Sequence, residues 1–232
     1  MHKLEFRAMG TQMMVAVDDD APEVGRQLEQ VSAWFEEWEQ ILSRFREDSE
    51  LSLLNRADGE PVRVSPVLWE LIELSFNAEK QSHGLISPAL LPALEYAGYS
   101  QSFEFVAAGA TQNLANQIAE TNLSLAVLDG ETHTVTLPKG MRLDFGGVAK
   151  GWAAERAKEK LKHLGAVLVD AGGDIAAHIP MDSEIGWEIS IQDPLGGGAL
   201  EIINLCEGGT ATSGRDRRRQ TGEPSLSPSD LR

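Results

Sequence analysis

One stretch, Leu143-Asp144-Phe145-Gly146-Gly147-Val148-Ala149-Lys150-Gly151, constrains this chain more than any other. Its opening reads as a strand, the double glycine as an abrupt stop, and Val148 onward as a helix with a lysine in its first turn. Such a junction gathers backbone N–H groups, a carboxylate and an ammonium. Together these can hold a phosphate ester beside a hard metal ion. Glycine contributes because, without a Cβ, it lets a ligand approach the backbone. The same residues also read as an ordinary strand-to-helix turn with Asp144 as a cap, and taken alone they do not separate the two readings. The spacing is neither the dinucleotide fingerprint nor a Walker loop.

The wider composition narrows the partners. The chain has 232 residues, 36 acidic against 20 basic side chains, and a formal charge of −16. That surface repels nucleic acid and anionic lipid, so an anionic ligand needs a site built for it. The length supports a large core. Cys206 is the one cysteine, which excludes an internal disulfide, fits a reducing compartment and reads as a small buried apolar residue rather than a nucleophile. Met1 to Phe6 lacks the apolar run of a signal peptide, and no run reaches membrane-span length, so a cytoplasmic protein with no membrane segment is expected.

Periodicity sets out the elements. Leu4, Phe6 and Ala8, then Met13 to Val17, predict two strands turning at Met9-Gly10-Thr11. After Asp18-Asp19-Asp20 and Pro22, the residues Val24, Leu28, Val31, Phe35, Trp38 and Leu42 predict one long amphipathic helix, with Trp34, Phe35 and Trp38 in the core. Ser49 caps a short helix through Asn55, Ser65-Pro66 opens a second long helix, and Ser87-Pro88 a short third. Ser124 to Pro138 predicts a hairpin about Asp129-Gly130. Beyond Leu143 to Gly151 come a helix closed by Gly165, a strand to Val169, the acidic turn Asp170 to Asp174, and strands at Trp187 to Ile191 and Leu200 to Leu205. Residues after Arg215 are polar and have little to bury.

Other segments offer weaker chemistry. Thr210 to Gly214 is a hydroxyl cluster that suits phosphate oxygens or a solvated strand end. Arg215 to Arg219 is a dense basic run that suits an anion or a solvated tail. His2, His83, His133, His163 and His178 have no zinc-ligand spacing, and no G-x-S-x-G elbow marks a serine hydrolase.

Taken in order, these segments resemble the ApbE family of FAD:protein FMN transferases. Met9-Gly10-Thr11 is similar to its M-G-T. Leu42-Ser43-Arg44-Phe45 with Asp48 to Ser52 and Asn55 is similar to L-S-x-[FY]-x-x-x-S-x-[LI]-S-x-x-N. His83 to Leu94 resembles G-x-F-D-P-T-x-x-P-L, and Leu143 to Gly151 resembles L-D-[LF]-G-G-[IV]-A-K-G. Gly172-Gly173-Asp174 and Thr212-Ser213-Gly214 follow as G-G-D and T-S-G. The resemblance implies a compact, two-lobed α+β fold with mixed sheets and long packed helices, holding its ligand between the lobes. It implies a transferase domain over residues 1–219 and a polar tail over 220–232. The implied activity is Mg²⁺-dependent cleavage of FAD, transfer of FMN through a phosphoester to a Thr or Ser of a target flavoprotein, and release of AMP. Met9, Phe45, Leu85, Ile86, Ser87, Asp144 and Lys150 match family FAD contacts, Phe45 by stacking on a ring, and Gly147 matches a metal ligand acting through its backbone oxygen. The resemblance also leaves room for a homodimer.

Two departures follow. Ile86-Ser87-Pro88 stands where the family has F-D-P, so a carboxylate is replaced by a hydroxyl. Arg219-Gln220 runs into Thr221-Gly222-Glu223-Pro224, similar to the family's T-G-x-P, without the H-x-I-D-P that precedes it and without the later D-x-x-[DS]-T metal ligands. Omitted segments, a shortened gene product and a partner chain that completes the site are the three readings of this. The catalytic His is thus unassigned, and an FAD-binding protein without transferase activity is the alternative function.

Overall fold

Three adjacent turns fall at one end of the main sheet, and this placement governs where a ligand can sit. A computed structural model describes residues 1–96, 99, 122–181, 186–193 and 196–213. Strands β1 (His2–Ala8), β2 (Thr11–Val17), β6 (Val167–Ala171), β7 (Asp174–His178) and β10 (Glu207–Ala211) form a five-stranded sheet in the order β1-β2-β6-β7-β10. The register pairs Ala8 with Thr11, Met13 with Ala171 and Asp174 with Ala211. The β1–β2 turn, the β6–β7 turn and the end of β10 therefore share one edge of the molecule. A three-stranded sheet joins β3 (Val62–Arg63), β5 (Thr134–Thr136) and β4 (Val127–Asp129), and β8 (Trp187–Gln192) pairs with β9 (Ala199–Leu205). The α+β class agrees with the sequence reading, but every pairing among the described residues is antiparallel, so the expected mixed sheets are corrected. Neighbours in the main sheet meet through hairpins (β1–β2, β6–β7), reverse after helices (β2–β6) or reverse after the β8–β9 ribbon (β7–β10), and no parallel crossover is formed among the described residues.

Strand alternation gives the sheet two apolar faces. Met13, Val15, Val17, Val167 and Val169 face the large core, where α2 (Val31–Leu42) and α6 (Ala149–Leu161) pack; Ala16, Leu168 and Ala177 face the other way, toward Trp187, Ile189 and Leu205 of the β8–β9 ribbon. Aromatic edges tie the first face together. Phe6 meets Phe35 at 5.2 Å, Phe35 meets Trp38 at 5.1 Å, and Trp38 meets Trp152 at 5.3 Å between ring centroids. Each such pair adds about 1 kcal/mol beyond the burial of its area.

The expected long first helix is two helices, α1 (Pro22–Leu28) and α2, joined through Glu29 and Gln30. At the junction the Gln30 N–H bonds to the Gln27 carbonyl three residues back, a tighter turn than the α-helical one, yet the predicted stripe from Val24 to Leu42 is buried throughout. Ser49 caps α3 (Glu50–Asn55) by accepting from Ser52 N, and Ser65 caps α4 (Pro66–Gln81) by accepting from Leu68 N. The short helix expected after Pro88 is α5 (Leu91–Tyr96). Leu125, expected in the hairpin, lies in a 3-10 turn, and the hairpin strands are shorter than predicted. Cys206 is exposed, not buried, because it sits at the bend where the chain leaves the ribbon for the main sheet. No helix among the described residues is long and apolar enough to cross a membrane.

Candidate functional site

The glycine segment begins differently from its sequence reading. Met141 to Phe145 is irregular, not a strand. Its backbone groups find other partners, so it needs no ladder. The Asn55 side chain donates to Leu143 O at 2.9 Å and accepts from Leu143 N at 2.7 Å, while Asp144 N donates to Pro88 O at 2.8 Å. A single side chain thus mimics one residue of a neighbouring strand. The chain then turns, and α6 starts at Ala149 with Ala149 N donating to Phe145 O at 2.8 Å.

Asp144 is committed on both oxygens. Its Oδ1 accepts Gly146 N at 2.8 Å, and its Oδ2 accepts Nε of Arg44. A Cβ on Gly146 would lie 2.9 Å from that Oδ1, so only glycine permits the contact, whereas a Cβ on Gly147 would meet nothing within 4 Å. The open space lies beside Gly147, where a ligand can approach. Lys150 reaches back with Nζ 3.2 Å from Gly146 O and 3.3 Å from Asp174 Oδ2. A continuous polar chain, Arg44–Asp144–Gly146–Lys150–Asp174, therefore crosses the corner.

The three turns at the sheet end complete it. A Cβ on Gly172 (φ +72°) would fall 2.4 Å from Thr11 Oγ1, so the M-G-T and G-G-D elements are in contact. Gly173 N donates to Asp170 Oδ1 at 2.7 Å, and Thr212 N donates to Gly173 O at 3.0 Å. Thr212 and Ser213 are exposed, while Gly214, the basic run from Arg215 and the Thr221 to Pro224 segment lie outside the described residues. Met9 adopts φ +49°, uncommon for a side-chain-bearing residue, and its N–H is held by Glu39 Oε2 at 2.7 Å.

The remaining candidates lie in the loops that follow α2 and α4. Phe45 is half exposed, and the Arg44 guanidinium lies 4.2 Å from its ring centroid. Leu85 and Ile86 are exposed in the loop that leaves α4 through His83 (φ +53°) and Gly84. Ser87 donates to Oε1 of the buried Glu79, whose Oε2 accepts Leu123 N at 2.9 Å. The carboxylate absent at position 87 is thus supplied to the same loop by the last turn of α4. Hydrogen bonds bring Asp144, Lys150, the Gly147 turn and the Ser87–Pro88 loop together, and the main-sheet turns bring Met9 to the same corner. Leu85 and Ile86 are exposed in the loop just before Ser87.

Sequence reasoning missed Arg44, Glu39, Glu79 and Asp174 as working groups. The signal at Arg44 was a cation inside a motif of an acidic chain. Glu39 and Glu79 gave none, since each sits in a helix where a surface acid is ordinary. Among the described residues no group of three or more His, Cys, Asp or Glu side chains could hold a metal ion. Asp144 and Asp174 are each paired with a cation, and Gly147 offers a single carbonyl. These residues do not fit Mg²⁺, which asks for a near-octahedral oxygen shell.

Comparison with known proteins bears on the fold and the family. The FAD:protein FMN transferase of Treponema pallidum (strain Nichols) is 30% identical over 231 residues, covering 90% of this chain and 63% of the relative. That of Klebsiella pneumoniae (strain 342) is 24% identical, covering 92% of this chain and 64% of the relative. The chain thus spans just under two thirds of the length of these curated relatives. Among solved structures, the ApbE protein of Thermotoga maritima superposes with a TM-score of 0.81 at 24% identity, covering 94% of this chain and 71% of that one. Apo flavinyl transferase ApbE of Pseudomonas stutzeri gives 0.71 at 22% identity, covering 88% and 65%. The ApbE family pattern itself matches residues 9–225, every segment of the corner among them, and the chain belongs to the ApbE family.

Proposed function

We propose that this protein binds FAD at the glycine corner and acts as an FAD:protein FMN transferase, passing FMN to a Thr or Ser hydroxyl of a target flavoprotein. One observation carries the reading: motifs from both ends of the chain meet around the space beside Gly147, with Lys150 held at its rim by Asp174. In the proposed reaction the acceptor oxygen bonds to the phosphorus on the riboflavin side of the diphosphate. The bridging P–O bond breaks, AMP leaves with the bridging oxygen, and the hydroxyl gives up its proton. The described residues supply binding and orientation. Lys150 offers a charge to the diphosphate, Phe45 a face to an aromatic ring, and Leu85 and Ile86 an apolar edge. Because the described residues do not fit Mg²⁺, no step is assigned to it.

The test is incubation of the protein with FAD, Mg²⁺ and a Thr-containing acceptor peptide, followed by mass spectrometry of the peptide and chromatography of the nucleotides. FMN-labelled peptide with stoichiometric AMP is expected. Retained FAD with no AMP would assign binding without transfer, and no retained FAD would overturn the proposal.

A further inference from the structure

We propose that Arg44 is a positioning residue of the anion corner, acting through Asp144: it neutralises that carboxylate from within the fold and so makes the corner able to accept a diphosphate. The inference rests on the FAD reading above. Arg44 leaves the loop after α2 and is nearly enclosed, its side chain 9% exposed against 16% for Asp144. Its Nε donates to Asp144 Oδ2, one terminal nitrogen donates to Tyr99 O at 2.6 Å, and its plane lies over Phe45. A flexible surface pair would have little effect. A pair enclosed on three sides holds its charges in fixed places, where they act on whatever enters next.

The charge count shows why this matters. Asp144, Asp170 and Asp174 face the turns of the corner, Glu39 and Glu79 hold the adjoining Met9 and Ser87, and of the cations Arg44 and Lys150 that reach the glycine segment, Lys150 is already paired to Asp174. In a chain of net charge −16, removing Arg44 would leave Asp144 as a bare anion beside the space a diphosphate must enter. Lysine could supply the charge but not the second donor to Tyr99 O or the flat face over Phe45.

Removing one charge and removing both have opposite consequences, and this gives the experiment. FAD affinity would be measured at low and high salt for the wild type, Arg44→Gln, Arg44→Lys and the double variant Arg44→Gln/Asp144→Asn, with folding checked by circular dichroism. Arg44→Gln is expected to weaken FAD binding by about tenfold or more at low salt, with the deficit shrinking at high salt. Arg44→Lys is expected to recover part of the loss. The double variant, which carries the same net charge as the wild type but lacks the Asp144 carboxylate, is expected to bind FAD at least about threefold more tightly than Arg44→Gln. If Arg44→Gln does not fold, Arg44→Lys is the single variant compared, and it is expected to bind FAD less tightly than the wild type. A double variant that stays as weak as Arg44→Gln, or a single variant that binds like the wild type, overturns the inference. Wild-type protein that retains no FAD overturns the flavin reading and this inference with it, so the two failures are distinguishable.

Discussion

Asp144 shows how much a single side chain can be asked to do. Read from sequence, it is a carboxylate at the end of an expected strand that matches a family FAD contact. In the structure it holds the Gly146 amide and an enclosed guanidinium. Asp144→Ala is therefore expected to lower stability by about 3 kcal/mol, the scale for leaving one member of a buried pair alone, as read by urea denaturation. Asp144→Asn is expected to cost less, because its one amide oxygen can still accept one of the two bonds. Ser87 plays a similar part for Glu79, and Ser87→Ala strips one carboxylate oxygen of its donor. A loss of about 1–3 kcal/mol is expected from thermal unfolding, and none if Glu79 relaxes into water. Lys150→Ala is expected to weaken FAD binding several-fold at low salt and less at high salt, as read by titration. Across the site acids serve as internal anchors: Glu39 holds Met9, Glu79 holds Ser87, Asp144 holds Arg44 and Asp174 holds Lys150. An acidic composition is thus no obstacle to binding an anion where each carboxylate is already engaged.

At the scale of elements, the turns matter more than the strands they join. Gly172 bends the β6–β7 hairpin at positive φ, directly against Thr11 of the β1–β2 turn. Gly172→Ala adds both an unfavourable conformation and a clash at 2.4 Å. It is expected to cost about 2 kcal/mol or more in chemical denaturation, with some return in Gly172→Ala/Thr11→Ala. At the opposite end of the strands, α6 meets β10 through the nearly enclosed Lys158, whose Nζ lies 2.8 Å from Glu155, 3.3 Å from Glu207 and 3.4 Å from Glu159. Burial pulls the lysine pKa down, but the hydrogen bonds and charges of Glu155 and Glu207 prevail and raise it above 10.5. The hydrogen bond with His178 holds the Glu207 carboxyl below its ordinary value, with burial opposing and Lys158 assisting. The signs follow. Glu207 stabilises the fold above its unfolded pKa, and that contribution is lost as pH falls through its depressed value. Lys158 stabilises below its unfolded pKa and loses that contribution as pH rises through its raised one. Glu207→Gln is therefore expected to be less stable than the wild type near neutral pH and to converge with it as pH falls through the depressed Glu207 value, measured as unfolding free energy against pH.

The whole molecule brings distant motifs to one place through sheet order and one side chain. Asn55 ends α3 yet bonds both backbone groups of Leu143, 88 residues later. Asn55→Ala is expected to lose about 2 kcal/mol in denaturation, from two bonds each worth about 1 kcal/mol, and to loosen FAD binding by displacing Asp144. The helix stripe from Val24 to Leu42, the serine caps, the glycine turns and the hairpins were legible in sequence because each depends on residues a turn apart or less. Asn55 and Asp174 were visible as motif letters without a task. The irregular lead into Gly146 was not legible, because it answers to Asn55, far away in sequence; the broken first helix and the exposed Cys206 rest on a local tightening and a bend that hydrophobic periodicity does not mark. The same division holds for the site. By itself the sequence determined the α+β class, the candidate residues and the family, since periodicity and motif spacing are local properties. Only the tertiary structure decided that Asp144 faces Arg44, that Lys150 faces Asp174 and that Ser87 faces Glu79, because a charge or a hydroxyl has no role until folding selects its partner.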